Sequence, residues 1–266
     1  MFSGNQCGGD QMGFRRVFDG AFLRAEIHGD GQNGLFVSFD HYRPGRTCFV
    51  NMAPVQMALD MGYASLVIST AANDWFLNPD LPDLRVELQH LAAQYPVVRA
   101  IGFSMGGYGA LLLSNTLQLA FATLWAPQVS IRQRLAPFEN RFKTEASRID
   151  VVADQLRLHI IPQLQGLVLC DPFAHPAERQ HAHAIQALAP DLGLAALPFS
   201  GHPPTGVVMA GGAYQSLLRA AISGEMTPQM VRKVHASHRW GSESYLRALQ
   251  ARLNKREARG FAMTGT

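Results

Sequence analysis

Little in this chain suits a cross-linked, membrane-spanning or nucleic-acid-binding design. Its three cysteines, Cys7, Cys48 and Cys170, include no CxxC pair. That excludes a disulfide framework or a zinc knuckle and points to a reducing compartment. No apolar run approaches the roughly 18 residues that a membrane helix needs. The opening stretch MFSGNQCGGDQMGF lacks a basic start followed by an apolar core, so no secretory leader is expected and the reading is cytoplasmic. Charged residues make up only 16% of the chain and the formal net charge is only +3, with the basic residues scattered. This is not the electrostatic footprint of a nucleic-acid binder. Low-complexity tracts are also missing. What remains is a chain of 266 residues, 47% hydrophobic, with a mean hydropathy near zero. Such a chain can bury a sizeable core, and it reads as one domain over residues 1–266.

Apolar runs of strand length recur at Gly34–Phe39, Ala64–Thr70, Val97–Phe103, Ala120–Trp125, Gly166–Cys170 and Leu194–Phe199. They are nearly continuous rather than alternating, which predicts strands covered on both faces, as in a parallel sheet. Leu23–His28 is expected as an antiparallel strand at one edge. Helical patterns fill most gaps: Pro54 to Gly62, Pro82 to Tyr95 with Leu84, Leu88, Leu91 and Tyr95 on one face, and Pro176 to Leu188. Leu246, Leu249 and Leu253 mark a last amphipathic helix with a basic, fraying tail. The alternation predicts a doubly wound, mostly parallel α/β sheet. Ser130–Leu158 breaks the rhythm. It is charged and weakly periodic, and reads either as a small cap or loop over the C-terminal edge of the sheet or as one ragged crossover helix.

Gly102-Phe103-Ser104-Met105-Gly106 matches GxSxG, the tight strand-to-helix turn that lifts a serine above a sheet. A strand pattern precedes it and a helical one, GGYGALLLSN, follows, so its context fits the motif. A nucleophilic serine needs a base, a group that orients the base, and donors for the oxyanion. Chain order in this arrangement is Ser, acid, His. Asp171 follows the strand pattern GLVLC and His202 follows the last one, so both are expected near Ser104. Glu178 is the second candidate acid. It is set behind Asp171 because a helix opening at Pro176 would carry it away. The Met105 N–H is the expected first oxyanion donor, and the second is expected from the loop at Asp40 or His41, although that loop has no HGGG run. Ala71–Phe76 and Pro127-Gln128 are candidate pocket walls. His175, His181 and His183 are read as a solvated helix face rather than a metal cluster, since HAH on a helix splays its rings apart. His235 and His238 are read as helical surface.

The segments GFSMGGYGAL, WAPQVSI, VLCDP and the late Gly201-His202 resemble the α/β-hydrolase superfamily from about Leu23 to Ile222. They are similar to a bacterial branch associated with surface-polysaccharide loci and with accessory secretion proteins that handle acyl groups on glycans. The resemblance implies the α/β-hydrolase fold with at most a small cap, and Ser104, Asp171 and His202 as the triad. In some relatives the acid is a glutamate, which keeps Glu178 in view. The function implied is a serine hydrolase that cleaves an ester or thioester of a small molecule or glycan through an acyl-enzyme, without metal or organic cofactor. An acyltransferase with the same triad and a non-catalytic binding protein on the same fold are the alternatives.

Overall fold

The computed structural model describes residues 13–149 and 154–264. Eight strands form one sheet: β1 Phe14–Asp19, β2 Leu23–His28, β3 Gly34–Phe39, β4 Tyr63–Thr70, β5 Val98–Phe103, β6 Phe121–Trp125, β7 Gln165–Cys170 and β8 Leu192–Ala196, in the order β1-β2-β4-β3-β5-β6-β7-β8. From β4 through β8 every pairing is parallel, and β1 and β2 pair antiparallel at one side. The helices are α1 Gln56–Asp60, α2 Leu81–Ala92, α3 Met105–Leu112, α4 Ser114–Leu117, α5 Lys143–Ala146, α6 Pro176–Leu188, α7 Gly206–Ala210, α8 Tyr214–Ser223, α9 Pro228–His238 and α10 Glu243–Thr264. No described helix is long and apolar enough to cross a membrane.

The continuous apolar runs are explained by two cores, one on each side of the sheet. Leu35, Val37 and Phe39 of β3 and Val168 of β7 face α2, α3 and α6, through Leu84, Leu88, Tyr108, Leu111 and Ile185. Their neighbours Phe36, Leu167 and Leu169 face the other way, towards Ala58 of α1, Leu217 and Ala221 of α8 and Val231 of α9. With side chains alternating at period two, both sets must be apolar when both faces are covered.

Three elements differ from expectation. β2 is antiparallel but is not the outermost strand, because β1 lies outside it. The β1 sequence FRRVFD carries the charge of an exposed edge, with Arg16 paired to Asp19 and Glu26. Charge of this kind protects an edge from further pairing and hides the strand from a hydrophobicity reading. β8 begins at Leu192 and ends at Ala196, before Pro198, which has no N–H to donate, and Phe199, whose φ of 59° takes the chain out of extended geometry. In α10, Leu246 and Leu253 are exposed, whereas Tyr245 is buried. The leucine stripe is therefore not the packed face.

In the described part of 130–158, the backbone forms turns, the short α5 and a 3₁₀ turn at Leu156–Leu158. It is no crossover helix. The segment is tied down by buried polar bonds. Asp154 accepts from the hydroxyls of Tyr108 (2.7 Å) and Ser130 (2.6 Å). Phe142 meets Trp75, with ring centroids 4.9 Å apart, and Tyr42 at 5.4 Å. The segment thus reaches back across the loops that follow β3 and β4.

The loop after β3 is held by an ion pair. The Arg46 guanidinium donates to both Asp40 carboxylate oxygens, at 2.6 and 2.8 Å, and both side chains are fully buried. Removing one partner of such a pair leaves a buried charge uncompensated. Arg46→Met is therefore expected to destabilise the fold by about 3–5 kcal/mol, read as a lower midpoint in urea unfolding.

Candidate active site

Every parallel strand ends on the same side of the sheet, and the loops leaving those ends carry the polar residues of the site. Ser104 sits between β5 and α3 with φ 50° and ψ −116°. A non-glycine residue in this region costs of order 1–3 kcal/mol and persists only where its surroundings hold it. Here the Ser104 N–H donates to the Trp125 carbonyl at 2.8 Å, and the Ser104 carbonyl accepts from Gly107 (2.9 Å) and Tyr108 (3.2 Å). The flanking glycines are required by space. A Cβ on Gly102 would lie 2.4 Å from the Gly106 carbonyl oxygen, and one on Gly106 would lie 2.8 Å from the backbone oxygens of Phe39 and Asp40.

His202, in the loop after β8, places Nε2 3.0 Å from Ser104 Oγ. Its Nδ1 lies 2.6 Å from Glu178 Oε1. A carboxylate only accepts, so Nδ1 carries the proton and Nε2 presents its lone pair to the serine. Ser104 and Glu178 are buried, while the His202 side chain is 31% exposed. Solvent therefore reaches the imidazole and little reaches the carboxylate.

The contact expected of Asp171 is made by Glu178. The helix does open at Pro176, but it does not carry Glu178 away. Side chains of a helix tilt towards its N-terminus, so one in the first turn leans back over the strand end from which the helix came. Glu178 Oε2 also accepts from the Asp171 N–H at 3.1 Å, which fixes the carboxylate to that strand end. Asp171 itself is occupied by backbone: its oxygens accept from Phe173 N–H and Gly201 N–H, each at 2.9 Å. It forms the turn after β7 and tethers the loop that presents His202.

Asp40 also departs from expectation. Its N–H continues the sheet by donating to the Ile68 carbonyl at 2.9 Å, and its carboxylate takes the His41 N–H at 2.9 Å. Neither backbone donor is free for an oxyanion: the sheet pairing runs on to the Asp40 N–H, and the Asp40 side chain takes the His41 N–H. Met105 opens α3 directly after Ser104, where the first N–H groups of a helix have no partner within it.

Behind Glu178 lies a second buried cluster that sequence reasoning missed. Arg141 grips Glu139 through Nε at 3.0 Å and Nη2 at 2.5 Å, and its Nη1 stands 3.9 Å from Glu178 Oε1. Glu139 also meets His181 Nε2 at 2.8 Å, while the Val129 N–H donates to His181 Nδ1 at 3.2 Å. A backbone donor on Nδ1 requires a lone pair there, so His181 is neutral with its proton on Nε2. His181 is fully buried, unlike the solvated face expected, and His183 is exposed. His235 is likewise buried, with Nε2 3.0 Å from the Pro198 carbonyl. Cys170, at the end of β7, is buried, and burial together with Glu178 and Asp171 pushes its thiol up to about 12. Cys48 is exposed, and Cys7 lies outside the described residues.

The cluster has an acid limb. Burial alone would raise the Glu139 carboxyl, but hydrogen bonds from His181 and Arg141 outweigh it and hold the group well below its ordinary 4.5. Burial lowers His181 below its ordinary 6.5 against the pull of Glu139. Both folded values are depressed, so the unfolded chain binds more protons at acid pH. Their stabilisation is complete above about 6.5 and is lost as pH falls, first from His181 and then, below about 4.5, from Glu139. The melting temperature is expected to drop on acidification across that range, and Glu139→Gln to flatten the lower part of the curve. Calorimetry at stepped pH checks both.

The remaining side chain on Ser104 is Gln128, in the loop after β6. Its Nε2 lies 3.2 Å from Ser104 Oγ, and the residue is fully buried. Sequence placed it only as a wall of the pocket. A polar residue three positions beyond a strand end, just past a proline, is the available signal.

No protein-family model matches the chain, and no curated protein does. Among solved structures it is similar to the capsule O-acetyltransferase of Neisseria meningitidis serogroup A, at TM-score 0.55 and 15% identity over 82% of this chain and 97% of that one. It is also similar to Est1E from Butyrivibrio proteoclasticus, at TM-score 0.51 and 13% identity over 84% and 99% of the two chains. Likeness at such low identity speaks for the arrangement of the backbone. With its strand order and its turn at Ser104, the chain has the α/β-hydrolase fold.

Proposed function

We propose that the protein is a serine hydrolase that cleaves an ester through Ser104, His202 and Glu178. The observation that carries this reading is the hydrogen-bonded chain itself: Oγ to Nε2 at 3.0 Å and Nδ1 to carboxylate at 2.6 Å, on a strained strand-to-helix turn. Ser104 Oγ attacks the acyl carbon as its proton passes to His202 Nε2. Glu178 holds the imidazole in the required tautomer and stabilises the imidazolium without itself taking the proton. The tetrahedral oxyanion falls to the Met105 N–H at the head of α3. Its collapse expels the alcohol, which takes the proton from His202. Water, deprotonated by the same nitrogen, then attacks the acyl-enzyme, and Oγ leaves with that proton. A fluorophosphonate should label Ser104, and a series of p-nitrophenyl esters of increasing chain length should define the acyl group. A chain that neither reacts with the probe nor turns over any ester of the series would sink the reading.

A second reading, acyl transfer, is favoured by the similarity to a capsule O-acetyltransferase. The same triad would then pass an acetyl group, taken from an ester or thioester, to a carbohydrate hydroxyl. The two readings separate on product analysis. Hydrolysis gives free acetate whether or not an alcohol is present, whereas transfer gives an acetylated acceptor at the expense of acetate.

A further inference from the structure

We propose that Gln128 is a further catalytic residue, a side-chain donor built to hold and charge-compensate Ser104 Oγ; this rests on the reading of Ser104 as the nucleophile. The amide orientation is determined from both ends. Trp75 Nε1–H donates to Gln128 Oε1 at 3.1 Å, and an indole N–H is a donor only. The Ala126 carbonyl accepts from Gln128 Nε2 at 3.0 Å, and a carbonyl is an acceptor only. Turning the amide over would oppose donor to donor and acceptor to acceptor. One N–H is therefore spent on Ala126, and the second is directed at Ser104 Oγ, 3.2 Å away.

The scaffold around this amide is strained. Ala126 has φ 49°, and Trp75 and Phe76 have φ 53° and 62°. None is a glycine, and Trp75, Phe76 and Gln128 are fully buried. Strain of this kind is tolerated where the surrounding structure imposes it, and it concentrates at functional sites. The left-handed turn at Ala126 brings the chain back over Ser104 within two residues, and the Trp75 loop supplies the anchor.

A hydroxyl that accepts from Gln128 has its own single proton left for His202 Nε2, so the amide selects the rotamer from which proton transfer starts. It also meets Oγ when electron density returns there. In deacylation the bond between the acyl carbon and Oγ breaks, its electron pair returns to Oγ, and the proton that His202 took from water follows. A fixed donor at that oxygen assists its departure without reorganisation. Because Asp40 and His41 have spent their N–H groups elsewhere, a donor on the opposite side of the serine has more to contribute here.

The test compares Gln128→Met, Gln128→Glu, Trp75→Phe and Ser104→Ala with the parent on p-nitrophenyl acetate, with melting curves for each. Gln128→Met removes the donor and is expected to lower kcat by about 10²-fold with KM not raised, the scale of losing one preorganised donor. Gln128→Glu keeps an oxygen for Trp75 Nε1 but sets its second oxygen, an acceptor only, against both Ser104 Oγ and the Ala126 carbonyl, so its melting curve is read beside its kcat. It should fall at least as far. Trp75→Phe leaves the amide in place and should lose less than either. Parental kcat in Gln128→Glu, a loss carried wholly by KM, or an equal loss in Trp75→Phe would overturn the proposal. If Ser104→Ala stays active, the nucleophile reading itself fails. If that variant is dead while both Gln128 variants keep parental kcat, only the role of Gln128 fails.

Discussion

Ser104→Ala is expected to lower kcat/KM for an activated ester by about 10⁶-fold, equivalent to about 8 kcal/mol of transition-state stabilisation. Losses of this size arise because a triad acts as a unit. Without Oγ, the imidazole has no nucleophile to deprotonate and the carboxylate behind it no imidazolium to stabilise. The substitution deletes one buried oxygen and leaves the strained turn with a residue that also carries a Cβ, so the fold should persist. Its backbone bonds to Trp125, Gly107 and Tyr108 do not involve the hydroxyl. Stopped assays on purified protein, with a fluorophosphonate as an independent probe, decide the matter. Residual labelling at the parental rate would remove Ser104 from the role.

The second large effect separates two carboxylates seven positions apart in sequence. Glu178→Gln should cost up to about 10⁴-fold in kcat, because an amide on Nδ1 no longer fixes the tautomer that leaves Nε2 free to accept. Asp171→Asn should cost much less. Its oxygens serve Phe173 and Gly201 backbone N–H groups, which an amide oxygen can still accept in part. Its effect should appear mainly as a lower melting temperature and a looser His202 loop. The pair of variants, measured for kcat/KM and thermal stability on one ester, reads out the division of labour. A larger kinetic loss from Asp171→Asn than from Glu178→Gln would return the acid role to Asp171.

The two residues show where a sequence reading stops. Both stand after the same strand, both are acidic, and chain order admits either. The proline at 176 speaks against Glu178 only on the premise that a helix leads away from the loop that starts it. The helix start is where it was expected, and the inference from it fails because a first-turn side chain leans back towards the N-terminus. Direction within a turn is a three-dimensional property, and no spacing rule encodes it.

By itself the sequence determined the alternation of strands and helices, because a sheet covered on both faces must write its apolar residues continuously. It also determined the serine turn, because only glycines fit where Gly102 and Gly106 meet neighbouring backbone. His202 as the ring facing that serine followed from its place after the last strand. The tertiary structure alone decided which carboxylate meets the imidazole, that Asp40 has no N–H to spare, and that Gln128 reaches Ser104 while held from behind by Trp75, a residue that follows a strand not adjacent to its own. Each of these depends on hydrogen bonds between segments tens of residues apart. A polar side chain carries its donors and acceptors in the sequence, but which of them are already satisfied is settled only when the chain has closed around them.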